Sequence, residues 1–305
     1  MLRSLVSLVI LCCASQAHAW NDMGHMVVAE LAYQRLTPAQ RDKIAAILQQ
    51  HPHYKEFLAA ERPAGVPEGQ WAFWRAATWP DWVKHHQESF SHGDWHYIDF
   101  PYIPPGSAVR ATDHPPKHQN ILVALPTCVD KARATSGSEK AINLCWVIHL
   151  IGDIHQPLHC ATLFSEQCPK GDAGGNDSVY RIGGHRTIKL HPMWDDLLGK
   201  GPTPTTIAHG AQEAQTAVAA NRSEVTREEI AAPTFESWAK ESYALAVAYA
   251  YTNGSVIPAV AEGHKDASTL PAVPDSYAET AGLVARVCIG KAGERLAGVL
   301  GQIVL

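Results

Sequence analysis

The stretch His149–His159, HLIGDIHQPLH, closes a run from Glu139 to Ile154 in which Ala141, Leu144, Cys145, Ile148 and Ile151 recur at three- and four-residue intervals. That spacing predicts a buried helix. Residues four apart share a helix face, so His149 and Asp153 project side by side from an otherwise apolar segment. Pro157 has no amide hydrogen to continue a helix and biases the residue before it toward extended backbone, so the chain turns and brings His159 back to the same region. A buried carboxylate is costly unless it is paired or bound to a cation, and histidine with carboxylate is a usual ligand set for zinc. The competing reading of this stretch is a His–Asp hydrogen bond inside a helical core.

Downstream, the polar loop CATLFSEQCPKGDAGGN leads to a predicted β-hairpin: Ser178 to Ile182, a turn at Gly183 and Gly184, then His185 to Leu190. It delivers His191, and HPMWDD repeats the four-residue spacing of histidine and carboxylate with Asp195. Upstream, Asp22 to Leu36 reads as a helix, and Thr37–Pro38 is an N-cap and first-turn signal for a second helix through Gln50. His51 and His53 fall in the polar turn that follows and are read as solvated surface. Asp81 lies among tryptophans in WAFWRAATWPDWVKHH, and His96 among aromatics in WHYIDF. Taken singly, each of these two is more often structural than functional.

The segment Pro101 to Pro116 is Pro-rich and irregular, and His118 to Ala134 reads as a helix. His114 and His118 are read as surface. From Pro202 onward the pattern is helical scaffold: one helix through Ala219, one from Thr234 to Tyr251 and one from Asp275 to the end. The chain is therefore expected to be mainly α, a single compact helical domain with one small β-hairpin.

The opening MLRSLVSLVILCCASQAHAW has a basic residue, a short apolar run and small residues at Ala17 and Ala19, the pattern of a secretory signal peptide over residues 1–19. The expected mature domain is 20–305, exported to the periplasm or secreted, with no membrane anchor. Without Arg3 the count is 24 Lys and Arg against 30 Asp and Glu, a formal charge of −6. No basic field points to nucleic acid, but bound divalent cations would add positive charge that this count omits. Seven cysteines become five without Cys12 and Cys13. In an oxidising compartment up to two disulfides are expected, with Cys160–Cys168 preferred because the pair brackets a short polar loop.

The candidates His25, Asp81, His96, His149, Asp153, His159, His191 and Asp195 exceed what one zinc ion can use. At this point the chain resembles the zinc-dependent single-strand nucleases and 3'-nucleotidases of the S1/P1 type. The resemblance spans essentially the whole mature chain: a Trp at its start with GH shortly after, then DW, WHYID, HLIGDIHQPLH, GGN and LHxxWD in order. It implies a helical fold of the phospholipase C and nuclease type, holding three zinc ions. One would take Asp81, His96, His149 and Asp153. A second would share Asp153 and take His25 with the α-amino nitrogen and carbonyl oxygen of Trp20. The third would take His159, His191 and Asp195.

The resemblance further implies hydrolysis of single-stranded DNA and RNA to 5'-phosphate products, action on 3'-mononucleotides, and a monomer. Lys84 matches a position usually held by Arg that contacts phosphoryl oxygens. Tyr97 and Asp99 match positions that stack a base and bind its edge, and Asn176 shapes the site beside His191. Lys189 departs from the Asn common there, and the loop from His159 to Asp172 is longer than usual and is expected to rim the third zinc. Two other readings stay open: a zinc-dependent phospholipase C of similar fold, and a non-catalytic exported zinc-binding protein.

Overall fold

In the N-terminal helix α1 (Asp22–Arg35), the Asn21 side chain accepts the Gly24 amide as a cap. Thr37 caps α2 (Pro38–Leu48), closing a reciprocal box with Gln40. Such caps satisfy amides that have no partner within a helix, which is why the chain breaks sharply between α1 and α2. The structure, a computed structural model, describes residues 20–86, 88–183, 186–221, 234–260 and 267–305. The expected signal peptide lies outside them.

Among the described residues the other α-helices are α3 (Glu68–Ala76), α4 (Trp79–His86), α5 (Ile121–Ala134), α6 (Gly137–Asp153), α7 (Leu190–Asp195), α8 (Pro204–Ala220), α9 (Phe235–Leu245) and α10 (Tyr277–Ile303). The chain is mainly α and forms one domain, as its periodicity predicts. Every residue of α6 from Leu144 to Asp153 is buried. A helix enclosed on all sides is apolar all round, and α6 is surrounded by α1, α2, α3, α4, α5 and α10. Its polar residues His149 and Asp153 therefore stand in the interior. The helix ends at Asp153. Gln156 is extended, its side chain accepts the Leu158 amide, and Pro157 opens a short 3-10 turn, Pro157–Cys160, that returns His159 to the end of α6.

The expected hairpin is present as β3 (Ser178–Ile182) and β4 (Arg186–Lys189), antiparallel with Val179 opposite Lys189. Three two-residue strands were not foreseen: β1 (Pro101–Tyr102) and β2 (Thr162–Leu163), parallel to each other, and β5 (Ala259–Val260) beside β3. Two residues carry no alternation to read.

Two expectations are corrected. His51 and His53 are buried, not solvated. The turn after α2 packs onto the start of α4, where Trp79 Nε1–H donates to His53 Nδ1 at 3.0 Å and the His53 amide donates to His51 Nδ1 at 3.1 Å. The Cys160–Cys168 disulfide is also not formed; both thiols are free. Cys160 belongs to the main core, its thiol 3.5 Å from the Ile154 carbonyl, whereas Cys168 sits in a separate apolar cluster with Tyr102 and Leu163. Other contacts fasten the loop between them. Asp172 accepts the Leu163 amide at 2.9 Å, Glu166 accepts the Ala108 amide, and Phe164 stacks on His114 with ring centroids 4.1 Å apart.

Candidate metal centre

The buried end of α6 gathers four of the sequence candidates. His149 Nδ1–H donates to the Ala77 carbonyl at 2.7 Å, which leaves Nε2 facing inward. Around Nε2 stand Asp153 Oδ2 at 3.2 Å, His96 Nδ1 at 2.9 Å and Asp81 Oδ1 at 3.8 Å. His96 Nδ1 is 2.9 Å from Asp153 Oδ2 and 3.9 Å from Asp81 Oδ1. Tetrahedral zinc with arms of about 2.0–2.1 Å has donor–donor edges of roughly 3.3–3.4 Å. The five separations scatter about that length, so these donors have the size of a single cation site.

A second position adjoins the first. His25 on α1 stacks on His149 with centroids 4.1 Å apart, and its Nε2 lies 3.3 Å from Asp153 Oδ1 without hydrogen-bond geometry. Asp153 thus turns one oxygen toward His96 and His149 and the other toward His25. Trp20 is fully buried, and its indole N–H donates to the Gly152 carbonyl at 3.1 Å. This anchors the segment before α1 one residue from Asp153.

The third group is His159, His191 and Asp195. His159 Nδ1–H donates to the His96 carbonyl at 2.7 Å, and His191 Nδ1–H to the Gly174 carbonyl at 2.6 Å. His191 Nε2 faces Asp195 Oδ2 at 3.6 Å, while Gln156 Nε2–H occupies Asp195 Oδ1 at 2.7 Å. In His149, His159 and His191 alike, a backbone carbonyl takes the Nδ1 proton and so presents the Nε2 lone pair, the orientation metal-binding histidines need.

Buried polar atoms without a hydrogen-bond partner concentrate here: both nitrogens of His25, His96 Nε2, Asp153 Oδ1 and His159 Nε2. Leaving such atoms unsatisfied is costly, and cations at these positions would take up Asp153 Oδ1, His159 Nε2 and one nitrogen of His25, lone pairs that no donor reaches. The titration pattern agrees. Burial holds His96 neutral, pushed down to about 3, and His159 to about 4. Burial alone would raise Asp153, but the neighbouring His149, with His25 and His96, outweighs it and holds the carboxyl well below its usual range. His25, His96 and His159 are thus held low beside an ionised Asp153, whereas burial works to lower His149 but Asp153 and Asp81 outweigh it and raise it, so a cation binding there would displace a proton from His149.

The other candidates lie around this centre. Lys84 Nζ donates to Asp81 Oδ1 at 2.6 Å. Tyr97 is half-buried; its hydroxyl donates to Asp94 at 2.9 Å and accepts from Lys117 at 3.1 Å. Asp99 accepts from the Thr162 hydroxyl. Asn176 caps its own loop, donating to the Ala173 carbonyl at 2.8 Å. Sequence reasoning missed Gly152, Gln156 and Thr162. Only Gly152 carried a signal, a glycine inside a strongly periodic helix, which usually marks a close approach.

A family model of the S1/P1 nucleases matches residues 20–305. The chain belongs to the S1/P1 nuclease family. Nuclease S1 of Aspergillus oryzae is 28% identical over 201 residues, 62% of this chain and 58% of that protein. Endonuclease 4 of Arabidopsis thaliana is 25% identical over 260 residues, 78% of each chain. Endonuclease 5 of the same plant is 28% identical over 196 residues, 60% of this chain and 57% of that protein. The chain thus matches under two thirds of the length of Nuclease S1 but more of Endonuclease 4. No described helix of this family member is long and apolar enough to cross a membrane.

Proposed function

We propose that the protein is an exported zinc-dependent phosphodiesterase that cuts single-stranded DNA and RNA endonucleolytically, leaving 5'-phosphates, and that also acts on 3'-mononucleotides. It works as a monomer, in the periplasm or outside the cell, after removal of residues 1–19. The observation that carries this reading is the convergence of three adjoining buried His/Asp groups, with buried atoms of His25, Asp153 and His159 facing into them.

Asp81, His96, His149 and Asp153 would hold one zinc. His25, the second oxygen of Asp153 and the amine and carbonyl of Trp20 would hold another, and His159, His191 and Asp195 a third. When bound, zinc supplies Lewis acidity toward a phosphodiester and acidifies water near neutral pH. Asp153, with one oxygen toward each of two neighbouring positions, suits a shared ligand.

Around the centre, Lys84 brings a positive charge toward phosphoryl oxygens as a point charge, without the bidentate fork of Arg. Tyr97 offers an aromatic face to an unpaired base. Its partner Lys117 Nζ lies 3.1 Å from the hydroxyl but 5.5 Å from the ring centroid, beyond the edge of the ring and clear of its faces. Stacking of this kind accepts any unpaired base, which favours single strands with little sequence preference. The second oxygen of Asp99 would bind a base edge, and Asn176 braces the loop whose carbonyl orients His191.

The test is hydrolysis of single-stranded DNA and RNA by protein beginning at Trp20, with and without chelator, followed by analysis of the product ends. Chelator-sensitive release of 5'-phosphorylated products supports the reading. A zinc-loaded protein that leaves both polymers intact, or that cleaves phosphatidylcholine instead, overturns it.

A further inference from the structure

Thr162 is buried on β2 opposite Pro101, and its hydroxyl stands between two parts of the site. Oγ1–H donates to Asp99 Oδ1 at 2.5 Å, and the same oxygen accepts the Gly174 amide at 3.1 Å. A hydroxyl has one proton to give, so the chain from Gly174 N–H through Thr162 to an ionised Asp99 runs in one direction. On the other side of Gly174, its carbonyl receives His191 Nδ1–H at 2.6 Å.

The threonine is held in this pose. Gly171 has φ +84°, and a Cβ there would lie 2.6 Å from Thr162 Cγ2, so the methyl packs where only a glycine leaves room. With the methyl fixed, a β-branched side chain has little χ1 freedom left and the hydroxyl direction follows. Asp172 locks the same loop from the far side, accepting the Leu163 amide at 2.9 Å, Ser178 Oγ–H at 2.7 Å and the Tyr251 hydroxyl at 3.0 Å.

We propose that Thr162 is a positioning residue that ties Asp99 to the loop orienting His191, so that base selectivity and metal retention at the His159–His191–Asp195 group depend on one hydroxyl. The proposal rests on the assignment of Asp99 to a base edge made under Proposed function. With Oδ1 held by Thr162, Asp99 presents Oδ2 in a single geometry. Without that bond the carboxylate is free to rotate, and the buried Gly174 amide loses its acceptor.

Thr162→Val keeps the shape and removes both bonds, whereas Thr162→Ser keeps the hydroxyl. Two readouts apply: the rate at which a chromogenic chelator strips zinc from the loaded protein, and KM in excess zinc for a dinucleotide and for bis(p-nitrophenyl) phosphate, a diester without a base. Thr162→Val is expected to release one zinc about 10-fold faster or more, the usual effect of losing an outer partner of a metal ligand. It should raise the dinucleotide KM about 5-fold, as loss of a positioning hydrogen bond does, with the base-free KM unchanged. Thr162→Ser should match the wild type in both.

A Thr162→Val protein that matches the wild type in either readout, or that raises both KM values together, overturns the proposal. The chelator assay needs no activity, so it separates two failures. A wild-type protein that holds three zincs yet hydrolyses neither diester sinks the nuclease reading and the base-selectivity half of this proposal, while zinc release decides the other half.

Discussion

The ring of His25 lies against the bare α-carbon of Gly152: a Cβ at that position would stand 2.8 Å from His25 Nδ1. The Gly152 carbonyl meanwhile accepts the Trp20 indole N–H. One residue on α6 therefore places both the segment before α1 and His25 beside Asp153. Gly152→Ala is expected to push His25 away and lower zinc content by one ion per chain. Activity on single-stranded DNA should fall by about 100-fold or more, because a displaced ligand misplaces the reacting groups. Metal analysis together with far-UV circular dichroism checks this, since the helical signal should persist.

If the Trp20 amine is a ligand, any residue in front of it converts an amine into an amide. A protein extended by one glycine before Trp20 should bind one zinc fewer than the protein that begins at Trp20, with similar thermal stability in the presence of chelator. Equal zinc content in the two would remove Trp20 from the ligand set.

Tyr97 presents its ring faces clear of Lys117, so truncation should cost base stacking and little else. Tyr97→Ala is expected to raise KM for single-stranded DNA about 10-fold, within the roughly 1–3 kcal/mol per base that stacking contributes, and Tyr97→Phe to stay near wild type. Steady-state kinetics on single strands and on a base-free diester separate this loss from general damage.

How much of this was readable beforehand depended on what kind of atom did the work. His149 and Asp153 were legible because the helical period puts them on one face of an apolar run. The pairing of His191 with Asp195 followed by the same rule. Asp81 and His96 are far apart in sequence and obey no period, so only the family resemblance joined them to the group. The carbonyls of Ala77, His96 and Gly174 that orient three histidines were invisible, since backbone oxygens carry no sequence identity. His51 and His53 were misread because a polar turn looks solvated until Trp79 is packed over it. The cysteine spacing said nothing of which cluster each thiol would join, and the C-terminal helices, read as plain scaffold, brace the site.

That bracing is specific. Arg295 Nη1–H on α10 donates to His155 Nε2 at 2.7 Å, two residues beyond Asp153, and Arg295 also pairs with Glu241 on α9 at 2.8 Å. Burial works to raise the Glu241 carboxyl, but Arg295 and Lys291 outweigh it and hold it below its usual value. A depressed folded value means this stabilisation is complete above the unfolded carboxylate's pKa of about 4.3 and is lost as pH falls through the folded value. Glu241→Gln should destabilise the protein at neutral pH by about 2 kcal/mol, less than the roughly 3–5 kcal/mol for breaking a fully buried pair. The difference from wild type should shrink as pH drops below about 4, as urea denaturation across that range would reveal.

The central claim is that the three His/Asp groups are one metal centre. Anomalous diffraction at the zinc edge, from crystals of zinc-loaded protein beginning at Trp20, tests it most directly. The account predicts three peaks: one among Asp81, His96, His149 and Asp153, one between His25 and Asp153, and one among His159, His191 and Asp195. Fewer than three peaks at full zinc loading, or zinc bound away from these residues, would contradict it.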